Sequence, residues 1–163
     1  MIYIGLGANL PSRFGSPVET LKAAKEALLT HNIDIVGESA TWLSAPLPYD
    51  PEQDWFHNEV IAIKTSVAAN ELLHLMLEVE QEFGRVRSVK NAPRLLDMDL
   101  IAYHDEIIKQ DNKLIVPHPR MSERLFVLKP LEELDPNWVH PITGQKIDEL
   151  IADIGPEQDI KKL

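Results

Sequence analysis

The chain alternates between the two hydrophobic periods available to a polypeptide, and the order of that alternation limits its fold more than any other feature. Met1–Leu6 (MIYIGL) is a short apolar run that reads as a buried strand, followed by a loop over 7–14. Ser16-Pro17-Val18-Glu19 then carries three helix-start signals: a capping hydroxyl, a proline at the first helical position, and a glutamate three residues after the serine. Leu21, Ala24 and Leu28 share one helical face, which predicts a helix to about Thr30. Ile33–Leu43 and Phe56–Thr65 are rich in β-branched and aromatic residues and read as strands. Leu72, Met76, Val79 and Phe83 repeat at helical spacing, so Asn70–Phe83 reads as a helix stopped by Gly84. Leu96–Tyr103 reads as the next strand. The order is β-α-β-β-α-β, that of a ferredoxin-like antiparallel sheet with helices on one face. An extended piece at Leu114–Val116 and helices around Glu123–Leu134 and Ile147–Ile154 follow it. The expected fold class is therefore α+β, a ferredoxin-like sheet with an additional C-terminal strand and helices, in one domain over 1–163.

Charge and composition narrow the function. With 16 Lys and Arg against 26 Asp and Glu, the formal charge is −10, which argues against non-specific nucleic-acid or anionic-membrane binding. The absence of cysteine removes disulfides, thiolate metal sites and cysteine nucleophiles. No apolar run reaches the length of a membrane span, and the N-terminus lacks the pattern of a signal peptide. A soluble, cytoplasmic protein is expected. The segment 44–55, SAPLPYDPEQDW, holds three prolines and cannot be a central strand. It is long for a connection between strands, and long loops often carry function.

Several common motifs are missing. Gly5 and Gly7 lack the third glycine of a dinucleotide-binding turn, since Leu10 stands there, and no phosphate-binding P-loop or GxSxG elbow occurs. The most informative local pattern is Asp97-Met98-Asp99. On a strand, residues two apart share a face, so both carboxylates project together while Leu96, Met98 and Leu100 face the other way. Such a pair repels itself unless a cation intervenes, and Mg²⁺ takes carboxylate and phosphate oxygens. The competing reading is an edge-strand pair facing water. Just before it, RVRSVKNAPRLL contains Arg85, Arg87, Lys90 and Arg94 and no acid, an arrangement suited to phosphate oxygens opposite a metal, or to a solvated basic loop. Lys113, His118, Arg120 and Arg124 form a second, looser group that also reads as surface charge. Leu47, Trp55, Phe56, Asn58 and Phe126 could form an aromatic slot with one amide, fit for a flat heterocycle, or could be core. Trp42, alternating along its strand, reads as core.

Five blocks in one order carry a resemblance: GLGANL, APLP with WFHNEV, VEQEFGRVR, APRLLDMDLI and VPHPRMSERLFVLKPL. Together they resemble the 6-hydroxymethyl-7,8-dihydropterin pyrophosphokinases over nearly the whole chain. The resemblance implies an enzyme of folate biosynthesis that transfers the pyrophosphoryl group of ATP to the hydroxymethyl group of a reduced pterin, leaving AMP. It implies two Mg²⁺ held by Asp97 and Asp99, with Arg85, Arg87 and Arg94 also catalytic. ATP contacts would come from Glu80, Arg87, Arg94, Leu100, Lys113, His118 and Arg124. The pterin pocket would be Ser44, Ala45, Leu47, Phe56, Asn58, Asp97 and Phe126. ATP and the pterin would be the partners of a monomer, with no nucleic acid and no membrane. The chain departs from that family pattern at Asn91, where many members carry tryptophan, at Lys113 and Ile115, and at Leu77. A non-catalytic pterin- or nucleotide-binding module is the rival reading, and a ferredoxin-like RNA binder is disfavoured by the acidic charge.

Overall fold

The computed structural model describes residues 1–84, 95–111 and 113–163. Its elements run β1 (Ile2–Ala8), α1 (Pro17–Leu29), β2 (Asp34–Glu38), β3 (Trp42–Ser44), β4 (Phe56–Lys64) and α2 (Ala69–Glu82). They continue with β5 (Asp97–Tyr103), β6 (Ile108–Gln110), β7 (Leu114–Val116), a 3-10 turn (Met121–Glu123), α3 (Leu125–Leu134), α4 (Ile147–Ile154) and β8 (Ile160–Lys162). The principal sheet has the order β5-β1-β4-β3-β8, with β2 also on β4, and its pairings are antiparallel. This places β1 between the third and fourth strands of the expected β-α-β-β-α-β unit, as a ferredoxin-like sheet requires. β6 and β7 form a separate two-stranded sheet.

The helix-start signals operate as expected. Ser16 Oγ accepts from the Glu19 N–H at 3.4 Å and donates to Glu19 Oε1 at 3.1 Å. Gly84 follows α2 with φ of 88°, a left-handed conformation that other residues adopt only at a cost. Alternation along the strands builds two cores on opposite faces of the sheet. Ile2, Ile4 and Leu6 of β1, with Ile61 and Ile63 of β4, pack against Leu21 and Leu28 of α1 and Leu72 and Met76 of α2. Tyr3 of β1, with Val60 and Ala62 of β4, packs against Val127, Leu128 and Leu131 of α3 and Ile147 and Leu150 of α4. The first pair of helices thus covers one face, and the C-terminal helices cover part of the other.

Three details differ from the sequence reading. Ile33–Leu43 is two strands, because β4 is long enough to pair β2 along one half and β3 along the other. At the break, Ser39 N donates to Val60 O at 3.0 Å, and Val60 N donates to Ser39 Oγ at 2.9 Å, so a hydroxyl stands in for a ladder carbonyl. Trp42 is half-buried rather than core, with its indole N–H donating to the Glu133 carboxylate. The short β8 at the C-terminus pairs with β3, a strand that three residues with two lysines do not announce.

His140 supplies a pH dependence. It is buried, and its Nδ1 accepts from Ile142 N at 3.2 Å and Thr143 N at 3.3 Å, which requires the ring to be unprotonated there. Burial pushes its pKa below the ordinary histidine value. The unfolded chain therefore binds this proton more readily, and stability is lost as the pH falls through and below the unfolded value of about 6.5. The unfolding midpoint in urea is expected to fall between pH 7 and pH 5. His140→Gln should flatten that dependence, and an equal slope in wild type and variant would contradict the assignment.

Candidate active site

The register of β1 creates a cleft of about 260 Å³ on the face that α3 only partly covers. Gly5 lies opposite Asp99 and Gly7 opposite Asp97 on β5, while Gly7 also lies opposite Asn58 on β4. Both glycines line the cleft, where any larger residue would fill it. A Cβ on Gly7 would come within 3.3 Å of Asn58 Oδ1, so the missing side chain lets the amide lie over the strand. The glycine pair, which fits no dinucleotide-binding turn, thus makes room on a sheet. A sequence signal existed: two glycines at strand spacing clear one face.

One end of the cleft is charged. Asp97 and Asp99 share it with His118 and Arg124, which arrive on the segment between β7 and α3. Asp99 Oδ1 lies 3.8 Å from His118 Nε2, and Asp99 Oδ2 lies 3.9 Å from Arg124 Nη1. His118 is held by its backbone N–H donating to Ile101 O at 2.9 Å, and its Nδ1 accepts from Arg120 N at 3.2 Å. The unprotonated nitrogen is then Nδ1, and the Nε2–H faces the cleft. Burial pushes the His118 pKa down, Asp99 draws it up, and Arg124 and Arg120 draw it down, with burial largest. The ring is accordingly neutral near pH 7 and acts as a hydrogen-bond donor through Nε2. Arg124 also stacks its guanidinium 5.5 Å from the Phe126 ring centre.

The other end is apolar with one amide. Ser44, Ala45 and Leu47 bring the start of the proline-rich loop, Phe56 and Asn58 bring β4, and Phe126 brings the first turn of α3. Asn58 Nδ2 donates to Ser44 Oγ at 2.8 Å and to Trp42 O at 3.3 Å, which fixes the amide plane. Glu59, also at the cleft, is buried and takes a 2.8 Å ion pair from Lys25 of α1, which reaches Glu38 as well at 3.1 Å. That pairing offsets the cost of burying its charge.

The structure therefore brings together Ser44, Ala45, Leu47, Phe56, Asn58, Asp97, Asp99, His118, Arg124 and Phe126. Three expected contacts do not line the cleft. Glu80 is buried in α2, the Leu100 side chain packs in the first core, and Lys113 is exposed in the turn before β7. Trp55 also stands outside it, with Lys161 Nζ 5.8 Å from its ring centre. Arg85, Arg87, Lys90, Asn91 and Arg94 lie outside the described residues. Gly5, Gly7, Glu59 and Val127 are cleft residues that the sequence reading did not select.

Asp97 and Asp99 offer hard oxygen donors from one strand face, and the Asp99 side chain is 44% exposed. Among the described residues no group of three or more histidine, aspartate or glutamate side chains is arranged to hold a metal. The pair fits a cation that takes its other ligands from water or a bound phosphate, as Mg²⁺ does.

Residues 3–136 match the family model described as 7,8-dihydro-6-hydroxymethylpterin-pyrophosphokinase. The chain is 38% identical, over 93% of its length, to the 2-amino-4-hydroxy-6-hydroxymethyldihydropteridine pyrophosphokinase of Synechocystis, of which it covers 74%. It is 37% identical, over 94% of its length, to the protein of that name from Methylorubrum extorquens, of which it covers 93%. It is 36% identical over 98% of its length to the folic acid synthesis protein fol1 of Pneumocystis carinii, but spans only 21% of that longer protein. The crystal structure of Plasmodium falciparum HPPK-DHPS superposes with a TM-score of 0.70 at 14% identity, covering 93% of this chain and 45% of that one, and supports the fold. No helix among the described residues is long and apolar enough to cross a membrane.

The charged end generates its own test. Asp99 favours the protonated form of His118, so Asp99→Asn should move the His118 titration further below the ordinary histidine value. NMR titration of the imidazole measures this, and an unmoved or raised pKa would contradict the pairing.

Proposed function

The chain belongs to the 7,8-dihydro-6-hydroxymethylpterin-pyrophosphokinase family, and we propose that it performs that family's folate-biosynthetic transfer in the cleft just described. The hydroxymethyl oxygen of the reduced pterin attacks the β-phosphorus of ATP. The bond from that phosphorus to the oxygen bridging the α- and β-phosphates breaks, AMP leaves, and the hydroxymethyl proton is released as the pterin diphosphate forms. The observation that carries this reading is the juxtaposition of a carboxylate pair with an aromatic, amide-bearing slot in one cleft.

The roles follow from the side chains. Phe56 and Phe126 supply faces for a flat ring, and Asn58, held by Ser44 and Trp42, presents a fixed amide to its edge. Ala45 and Leu47 complete the apolar lining at that end. Such a slot fixes the hydroxymethyl group relative to the charged end, and positioning is the larger part of phosphoryl-type catalysis. Arg124 and the His118 Nε2–H donate to phosphate oxygens from positions where they already face Asp99. By the family resemblance, Arg85, Arg87 and Arg94 would add cationic donors to the transferring group, and Glu80, Leu100 and Lys113 would serve the nucleotide side, outside the cleft lining. Asp97 and Asp99 would hold two Mg²⁺, which when bound neutralise phosphate charge and align the phosphates.

Pterin-dependent formation of AMP from MgATP tests the reaction directly. Asp97→Asn and Asp99→Asn should each lower turnover by about 100-fold or more, the loss of roughly 3 kcal/mol of transition-state stabilisation. Pterin binding should persist in Asp99→Asn, since Asp99 lies outside the expected pterin pocket, with circular dichroism as the folding control for both variants. Near-normal turnover in both variants would remove the metal assignment. Gly7→Leu fills the pterin end, and calorimetry should show pterin binding weakened by about 10-fold or more, since the slot is then occupied. Undiminished pterin binding in that variant would place the pterin elsewhere.

A further inference from the structure

α3 begins without a cap of its own. Arg124 occupies the capping position and makes no side-chain capping bond, yet it and Phe126, two residues later, both line the cleft. A helix of this kind leaves its first N–H groups without partners unless something outside the helix supplies them. Here the C-terminal tail does so. The Leu125 N–H donates to Gln158 Oε1 at 3.0 Å, and Gln158 Nε2 donates to Glu123 O at 2.7 Å. One amide thus bridges the backbone on both sides of Arg124.

The same tail holds the opposite wall. Ala45 N donates to Asp159 O at 3.1 Å, the residue after Gln158. β8 then pairs Ile160 with Ser44 and Lys162 with Trp42. Ser44 and Ala45 belong to the cleft lining. The tail therefore spans from the Arg124–Phe126 wall to the Ser44–Ala45 wall, and a minor cavity of about 140 Å³ beneath it is lined by residues of all three. This segment lies beyond the residues 3–136 that the family model covers.

We infer that Gln158 is a positioning residue for the reaction: it replaces the missing helix cap of α3 and so sets Arg124 and Phe126 against the wall that β8 holds. Its side chain does not line the cleft and touches no reacting atom. Without it the first turn of α3 loses its partner for the Leu125 N–H, and Phe126 loses its fixed distance from Asn58 and Ser44. The consequence falls on ligand binding, because the slot widens at Phe126 while the Arg124 guanidinium keeps its Asp99 partner at the charged end.

The inference rests on the proposed pterin reaction for its kinetic reading only. Gln158→Ala should raise the pterin KM about five-fold, the worth of one helix cap, and leave kcat within about two-fold. The thermal midpoint should fall by only about 2–4 °C, the effect of one cap in a chain of this length, and the Leu125 amide should exchange with solvent at least about five-fold faster, since its bond is gone. Gln158→Glu keeps the acceptor for the Leu125 N–H but sets its second oxygen against Glu123 O, so it should recover part of the loss. An unchanged pterin KM, a parallel fall of kcat and thermal midpoint, or no recovery in Gln158→Glu would each overturn the positioning role. A wild-type protein that makes no AMP would instead overturn the proposed reaction, and Leu125 exchange in Gln158→Ala would still decide whether the clamp exists.

Discussion

The antiparallel pairing of β1 between β4 and β5 is the constraint on which the remaining structure depends. It sets Gly5 and Gly7 beside Asp99, Asp97 and Asn58, and thereby both opens the cleft and stocks it. Because side chains alternate strictly along a strand, a slip of one residue would send the carboxylates into the apolar core and bring Met98 and Leu100 to the cleft. That slip is opposed by the first core, where Ile2, Ile4, Leu6 and Ala8 must face α1 and α2. The packing that stabilises the fold is therefore the same packing that aims the functional groups. A register shift between Tyr3 and Ile4 adjusts the pairing before the carboxylates are reached, and Ile101 and Ala102 both pack on the second core.

The second face of the sheet divides its work. Where α3 and α4 lie on it, Tyr3, Val60 and Ile101 are buried as in any core. Where α3 begins, the sheet surface carries glycines and a carboxylate pair, and the helix contributes Arg124 and Phe126 instead of a capping residue. Each of these choices costs stability locally: glycine in a strand, like charges on one face, a partly buried guanidinium, an uncapped helix start. Their clustering at one cleft is what a functional site is expected to show, since local rules yield there to binding. In the layer of α1 and α2 behind the sheet, α1 carries a serine cap, a glycine stop follows α2, and the apolar stripes of both helices are buried, although α2 also starts without a side-chain cap, at Ala68.

The legible parts of the chain were those in which one residue type answers to a local rule. The periodic stripes of α1 and α2 declared their helices because burial on one face needs that spacing. Asp97 and Asp99 declared a shared face because strand geometry allows no other. Residues whose place depends on a distant partner were less legible. Trp42 has the composition of a core residue, but it sits toward an edge where the Glu133 carboxylate draws its N–H outward. Trp55 appeared suited to the aromatic slot, yet it lies against Lys161 of the tail. The break between β2 and β3 follows from Ser39 bonding Val60, a residue 21 positions away.

What the sequence alone determined is the class of fold and the strand-helix order; it offered a carboxylate pair, basic donors, and aromatic and amide side chains, which the family resemblance gathered into one expected site. Fold class and order are consequences of local period and residue chemistry, which need no knowledge of distant neighbours. The sequence excluded a nucleotide-binding turn at Gly5 and Gly7, but only the tertiary structure made them a cleft floor, because that depends on which strands flank β1. Only it joined His118 and Arg124 to Asp99, across a sequence separation that no spacing rule spans. It also revealed that the last residues close the sheet and brace the start of α3. Three short-strand residues carry too little periodicity to specify a partner, so their place is fixed by the unpaired edge of β3 and by the backbone groups that α3 leaves open.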